Sequence, residues 1–229
     1  MGNIAIIPAR GGSKRLLKKN ILPVQGKPML AYPIASAVKS NVFDQVIVST
    51  EDKAIGEIGS EAGARFLKRP KSLAQDRSTV AQVCKHVLLE LEKENVIPEY
   101  FCCIYATAIF VTPEDIVDSL KLLNKTASIN VVMGVSKYNL QPVQALKKGP
   151  DELLKPMWPE YVNIQSQFHP YLVVSNGTLY WAKTERFLKK ETFYDDALLG
   201  YEMPWVRALD IDTKESLQIV EMIAPSLLS

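Results

Sequence analysis

Short apolar runs alternate along this chain with segments whose apolar residues recur every three or four positions. The runs read as strands covered on both faces, and the periodic segments as helices lying on a sheet. The predicted strands are Ile4–Ile7, Val46–Ser49, Ala64–Leu67, Phe101–Tyr105, Asn130–Val135, Thr178–Ala182 and Val206–Leu209. A first helix is expected from Pro28, with Leu30, Ile34, Ala37 and Val38 as its stripe. A second follows Asp52 as its cap and stops near Gly63. Ser78–Lys93 places Val80, Val83, Val87, Leu88 and Leu91 on one face. Further helices are expected from Thr112-Pro113 to about Asn124, over Thr184–Lys189, and over Thr213–Ile223. This alternation predicts an α/β fold, a mostly parallel sheet with helices on both faces.

From Lys137 to Val174 the pattern weakens. Five prolines (Pro142, Pro150, Pro156, Pro159 and Pro170) and several aromatics leave no clear helix there. The stretch reads as an excursion from the sheet, either a lid or a subunit-contact arm. Its Trp158, Tyr161, Phe168 and Tyr171 suit an interface, which predicts a homodimer. No repeat or linker interrupts the chain, so residues 1–229 are expected to form one domain.

Charge is distributed unevenly. The first 43 residues hold Arg10, Lys14, Arg15, Lys18, Lys19, Lys27 and Lys39 and no acid, whereas acids outnumber bases in the remainder. This suggests a local anionic ligand. The overall charge of +2 gives no case for nucleic acid. No apolar run is long enough to span a membrane, and no signal peptide is evident. Cys84, Cys102 and Cys103 have neither disulfide nor zinc spacing, so a reducing cytoplasm is expected, with all three in the core. Two histidines exclude a histidine-rich metal site.

The chemistry begins where the first strand ends. Pro8-Ala9-Arg10-Gly11-Gly12-Ser13 leads into Lys14, Arg15, Lys18, Lys19 and Asn20. Glycines let a backbone approach a ligand, loop N–H groups can form an anion nest, and basic side chains add charge. The loop matches neither G-x-x-x-x-G-K-[ST] nor G-x-G-x-x-G. Asp210 and Asp212 stand two residues apart at the end of the predicted last strand. On a strand both carboxylates would point one way and suit Mg²⁺. The segment Asp212-Thr213-Lys214-Glu215 reads equally as a helix cap. Arg69, before Pro70 and Leu73-Ala74-Gln75-Asp76, could reach a phosphate or a base edge, or simply face water. Tyr105-Ala106-Thr107-Ala108 closes a strand where open sheets form crevices, and Asn176-Gly177-Thr178-Leu179-Tyr180 is a second crevice candidate or merely a turn.

Together these residues resemble the bacterial cytidylyltransferases that activate nine-carbon sialic-type sugars, the acylneuraminate cytidylyltransferase family. I-P-A-R-G-G-S-K-R is the most specific segment, D-I-D-T supports it, and the likeness runs from Ile4 to about Glu221. C-I-Y-A-T-A at Cys103–Ala108 and Q-P-V-Q-A-L at Gln141–Leu146 are similar to the pseudaminic acid branch. Three positions differ from the pattern: Leu16-Leu17 stands for an aliphatic-Pro pair, Ile109 for a proline, and Asn176-Gly177 is of the neuraminate type.

The resemblance implies a Rossmann-like nucleotidyltransferase fold with a dimerisation arm at 137–174. It implies CTP over the 9–20 loop, with Arg10, Lys19 and Asn20 on triphosphate positions and Arg69 near the nucleotide. It implies Mg²⁺, with Mn²⁺ as substitute, at Asp210 and Asp212, and a sugar acid beside Tyr105, Ala106, Thr107, Asn176 and Tyr180. The reaction implied is attack by the sugar's anomeric hydroxyl on the α-phosphorus of CTP, releasing pyrophosphate. Lys19 and Arg10 would offset charge, and Asp210 or a metal-held hydroxide could take the proton. Two rivals stand beside it: a transferase for a hexose-1-phosphate, and a non-catalytic nucleotide-binding protein.

Overall fold

A computed structural model describes residues 2–228. In chain order the elements are β1 (Asn3–Pro8), β2 (Pro23–Val24), β3 (Lys27–Pro28), α1 (Ala31–Lys39), β4 (Gln45–Thr50), α2 (Lys53–Glu61) and β5 (Arg65–Lys68). Then come α3 (Val80–Lys93), β6 (Tyr100–Ile104), α4 (Pro113–Leu123), β7 (Val131–Lys137), β8 (Leu146–Lys148) and β9 (Leu154–Pro156). The chain finishes with β10 (Val173–Lys183), α5 (Thr184–Lys190), β11 (Leu198–Glu202) and α6 (Lys214–Leu227).

Seven strands form one sheet in the order β11-β7-β10-β6-β1-β4-β5. Only β10 runs antiparallel to its neighbours β6 and β7. The alternation along β1 shows why its sequence is continuously apolar. Ala5 and Ile7 pack on one face with Ile34, Ile55 and Ile116 from α1, α2 and α4. Ile4 and Ile6 pack on the other with Cys84, Val87, Leu91 and Phe187 from α3 and α5. Cys84, Cys102 and Cys103 are buried and unpaired, as expected of core thiols.

The strand order reverses at β1, which pairs in parallel with β4 on one side and β6 on the other. Connections therefore diverge beyond its carboxyl end and leave a crevice there. A third apolar cluster floors one side of that crevice. It joins Leu16 of the basic loop, Ile109, Phe110, Ile211 and Val220 of α6. Burying Ile211, which is fully shielded, contributes about 2 kcal/mol and fixes the two aspartates that flank it.

Three expectations need correction. Pro28 does not open a helix; it closes the β2–β3 hairpin, and α1 starts at Ala31. Val206–Leu209 is not a strand, since Trp205–Arg207 forms a 3-10 turn. The strand at this end of the sheet is β11, parallel to β7. At its centre a Cβ on Gly200 would come within 2.8 Å of Val135, so glycine permits the pairing. Finally, the segment from Asp210 to Asp212 carries no ladder, and α6 is capped by Thr213 with Ser216, not by Asp212 or Glu215.

The 137–174 excursion leaves from β7 and returns into β10, whose residues Lys137 and Val173 are paired. It contains the β8–β9 hairpin and isolated 3-10 turns. Leu140, Leu153, Val162, Phe168 and Tyr171 on it are exposed. Among the described residues no helix is long and apolar enough to cross a membrane.

Candidate active site

Four neighbouring strands deliver the polar residues. The ends of β1, β4, β5 and β6 lead into the basic loop, Glu51, Arg69 and Tyr105 respectively. They open into a cleft of about 250 Å³. Arg10, Ser13, Lys19, Asn20, Arg69, Tyr105, Ala106, Thr107 and Asp212 line it, so residues up to 202 positions apart meet in one place.

Acidic groups hold each flank of the basic loop. Asp76 accepts from Arg10 at 3.0 Å and also from Lys14. Hydrogen bonding from Lys14 and then Arg10 pulls the Asp76 carboxyl below its ordinary value. At the other flank Lys19 donates to Asp212 at 2.6 Å and Arg15 pairs with the same carboxylate. Asn20, buried, donates to the Arg10 carbonyl at 2.9 Å and so braces the loop. These ion pairs reach water, which screens them, and an incoming polyanion can replace the carboxylates.

The loop's amides behave differently from a simple anion nest. The Gly11 N–H donates to Glu51 at 2.8 Å, and the Ser13 N–H donates to the Gly11 carbonyl at 3.0 Å. Positive charge in the cleft therefore comes chiefly from side chains. Gly11 is required by contact, because a Cβ there would lie 2.7 Å from Asp52. Gly12 has open space around it. Ala9 is fully buried beside the cleft, its N–H bonded to Ser49.

Arg69 is almost wholly buried and held by Glu51 through Nε at 3.1 Å and Nη2 at 3.0 Å. Burial lowers its pKa against the opposing pull of Glu51. Asp210 and Asp212 lie against each other. Desolvation, then the charge of Asp212, raises the Asp210 carboxyl. Burial pushes Asp212 up too, but Lys19 and Arg15 outweigh it and leave that carboxyl lowered. No cluster of three or more metal-binding side chains occurs among the described residues. Two adjacent carboxylates, one resisting ionisation, nonetheless fit a hard cation whose other ligands come from phosphates.

Asn176 and Tyr180 do not line the cleft. Asn176 donates to Ser136 and accepts from Thr178, and the Tyr180 hydroxyl pairs with Ser175 at 2.8 Å. The Tyr180 ring stands edge-on to Tyr105, 5.5 Å between centroids, and supports it from behind. Sequence reasoning missed Glu51 and gave Asp76 no role. For Glu51 the available signal was an acidic pair, Glu51-Asp52, one residue past a predicted strand.

A phosphate-sized basic loop, a buried arginine and a carboxylate pair, at the switch point of a mostly parallel sheet, define a nucleotide-handling α/β domain. The family described as "Cytidylyltransferase" matches residues 4–152. The chain belongs to this cytidylyltransferase family. It is 30% identical over 214 residues to a Helicobacter pylori protein named pseudaminic acid cytidylyltransferase and UDP-2,4-diacetamido-2,4,6-trideoxy-beta-L-altropyranose hydrolase, covering 92% of this chain and 40% of that one. It is 31% identical over 223 residues to an Escherichia coli N-acylneuraminate cytidylyltransferase, covering 94% and 50%. The chain thus spans half or less of these two relatives. A solved CMP:2-keto-3-deoxy-manno-octonic acid synthetase, in complex with CTP, shares the fold with a TM-score of 0.73 at 14% identity, over 99% of both chains.

Proposed function

We propose that this chain transfers CMP from CTP to the anomeric hydroxyl of a nine-carbon 2-keto sugar acid and releases pyrophosphate. The observation that carries this is the Lys19–Asp212 contact, which brings the basic loop and Asp212 to one cleft; Asp210 lies beside Asp212 but does not itself line the cleft. Arg10 and Lys14 would exchange Asp76 for phosphate oxygens, and Lys19 would offset charge developing at the α-phosphate. Arg69 would face the nucleotide from the β5 end. Asp210 and Asp212 would hold Mg²⁺ or Mn²⁺, which would neutralise phosphate charge and polarise the attacking hydroxyl. Asp210 would take the proton that leaves the attacking hydroxyl.

The sugar proposed is pseudaminic acid. Tyr105, Ala106 and Thr107 line the cleft with a ring, two methyls and two hydroxyls, a largely apolar set that suits a substrate rich in methyl and acylamino groups. A hydroxyl left without a polar partner costs about 1–3 kcal/mol, or roughly 5- to 150-fold in selectivity. A pyrophosphate-release assay crossing the four nucleoside triphosphates with pseudaminate, legionaminate and N-acetylneuraminate tests both levels. CTP with pseudaminate is expected to give the highest kcat/KM. Equal or better use of N-acetylneuraminate would overturn the pseudaminate assignment, and failure of every sugar acid in the panel to elicit pyrophosphate release would overturn the whole proposal.

The exposed apolar residues of the excursion support a dimer through this arm, in a two-fold arrangement. Light scattering at micromolar concentration is expected to give twice the mass of one chain. Replacing both Phe168 and Val162 by Asp should give the monomer; a wild-type monomer would remove the arm's role.

A further inference from the structure

We infer that Glu51 is a positioning residue that locks the arginine at the base of the cleft and the phosphate-facing loop into one register. The inference rests on the nucleotide function proposed above. Glu51 directly follows β4, between the strands that feed the two walls. One carboxylate oxygen, Oε1, accepts the Gly11 N–H at 2.8 Å. The other, Oε2, accepts both Nε and Nη2 of Arg69. A single side chain therefore joins the head of the basic loop to the buried guanidinium.

Three features make this joint rigid. The Arg69 side chain is 3% exposed and that of Glu51 16%, so water does little to screen the pair. Gly11 is also pressed from beside it, since Asp52 leaves no room for a Cβ. Asp52 itself is fixed by capping α2 through the N–H groups of Ala54 and Ile55. Movement of the loop head would thus disturb the Glu51 carboxylate and, through it, Arg69.

The geometry also orients the guanidinium. Glu51 engages the Nε and Nη2 edge, and Nη1 has no protein acceptor among the described residues. Arg69 lines the cleft together with Leu73, Val80 and Val83. Leu73, Val80 and Val83, with Gln75 and Ser78 among them, flank this oriented pair of N–H donors, an arrangement that suits a flat base with two adjacent acceptors, as at O2 and N3 of cytosine, where uracil presents an N3–H. Arg10, next to Gly11, serves the phosphate side of the same cleft. Glu51 touches neither part of the nucleotide in this arrangement and acts on both through its two partners.

Two variants test this. Glu51→Gln keeps the shape but offers one acceptor oxygen where three N–H groups now converge. Glu51→Asp keeps the charge but is one methylene short of reaching both partners. Each is expected to weaken CTP binding, measured by calorimetry, by about 10-fold or more. Each should lower kcat/KM for CTP by roughly 10- to 100-fold, the scale on which removing an orienting hydrogen bond acts. The diagnostic readout is the CTP:UTP preference, which should fall by at least about 5-fold. A merely structural role would lower melting temperature and leave that ratio unchanged. Combined with Arg69→Met, which removes the buried charge that Glu51→Gln strands, the losses should be less than multiplicative. An unchanged CTP:UTP ratio in both variants, or fully multiplicative losses, overturns the inference. Wild-type protein that binds CTP without transferring CMP would sink only the proposed reaction, because the binding ratio still reads Glu51. Wild-type protein that binds no nucleoside triphosphate would sink both.

Discussion

Lys19→Ala is expected to lower kcat for pyrophosphate release by roughly 100-fold or more, the scale on which removing one preorganised charge destabilises a transition state. Its ammonium already lies inside the cleft, 2.6 Å from Asp212 and 19% exposed. Little motion is needed for it to meet a phosphate, so most of its effect should fall on turnover and less on CTP affinity. Stability should fall only modestly, because the loss is confined to the packing of one methylene stem and to an ion pair that, partly exposed, is worth about 1 kcal/mol or less. Arg15 remains on Asp212 when Lys19 is gone. Steady-state kinetics beside thermal unfolding check this. Near-normal kcat in a well-folded Lys19→Ala protein would remove the residue from the mechanism.

The sheet was readable because its central strands are covered twice. Ile4–Ile7 and Phe101–Ile104 are apolar at every position, a pattern that few other environments produce. β11 was not readable for the opposite reason. Leu198 to Glu202 are half-buried or exposed, pair with β7 alone, and include a glycine that resembles a break. The apolar Val206 and Leu209 nearby imitated a strand. At Pro28 the proline that commonly opens a helix instead closes a hairpin, because Met29 and Leu30 bond back to Leu22 and Asn20. These are long-range outcomes that no local pattern encodes.

The site divides in the same way. Residue types that declare their chemistry locally, such as the basic loop and Asp210-Ile211-Asp212, stood out. Their partners did not. Asp76 meets Arg10 across 66 positions, and Asp212 meets Lys19 across 193. Glu51 reads in sequence as an ordinary acid beside a helix cap. Its function as a joint exists only because β1, β4 and β5 lie side by side. Asn176 looked like a ligand residue for its N-G turn, yet its amide is spent on Ser136 and Thr178.

The carboxylate pair yields the second large effect. EDTA is expected to abolish activity, and Mg²⁺ or Mn²⁺ to restore it, since two carboxylates and phosphate oxygens are hard donors that suit both. Asp210→Asn and Asp212→Asn should each cost roughly 100-fold or more in kcat and raise the Mg²⁺ concentration needed for half-maximal rate. Their effects on stability should differ in sign. The Asp210 carboxyl is raised by desolvation and by the charge of Asp212, so the folded state binds its proton more readily than the unfolded state. Its ionisation thus weakens the fold as pH rises from the ordinary carboxylate value through the raised one. Near pH 7 without metal, Asp210→Asn should therefore melt at the same temperature or higher. For Asp212, burial opposes ionisation but Lys19 and Arg15 prevail and lower the carboxyl. That stabilisation is present above the ordinary value and is lost as pH falls through the lowered one. Asp212→Asn should accordingly melt somewhat lower near pH 7, although Thr213 still caps α6. Parallel losses of turnover with opposite shifts in melting temperature would separate a charge-binding pair from a structural one. An Asp210→Asn protein that melts lower and keeps its Mg²⁺ response would make the pair structural.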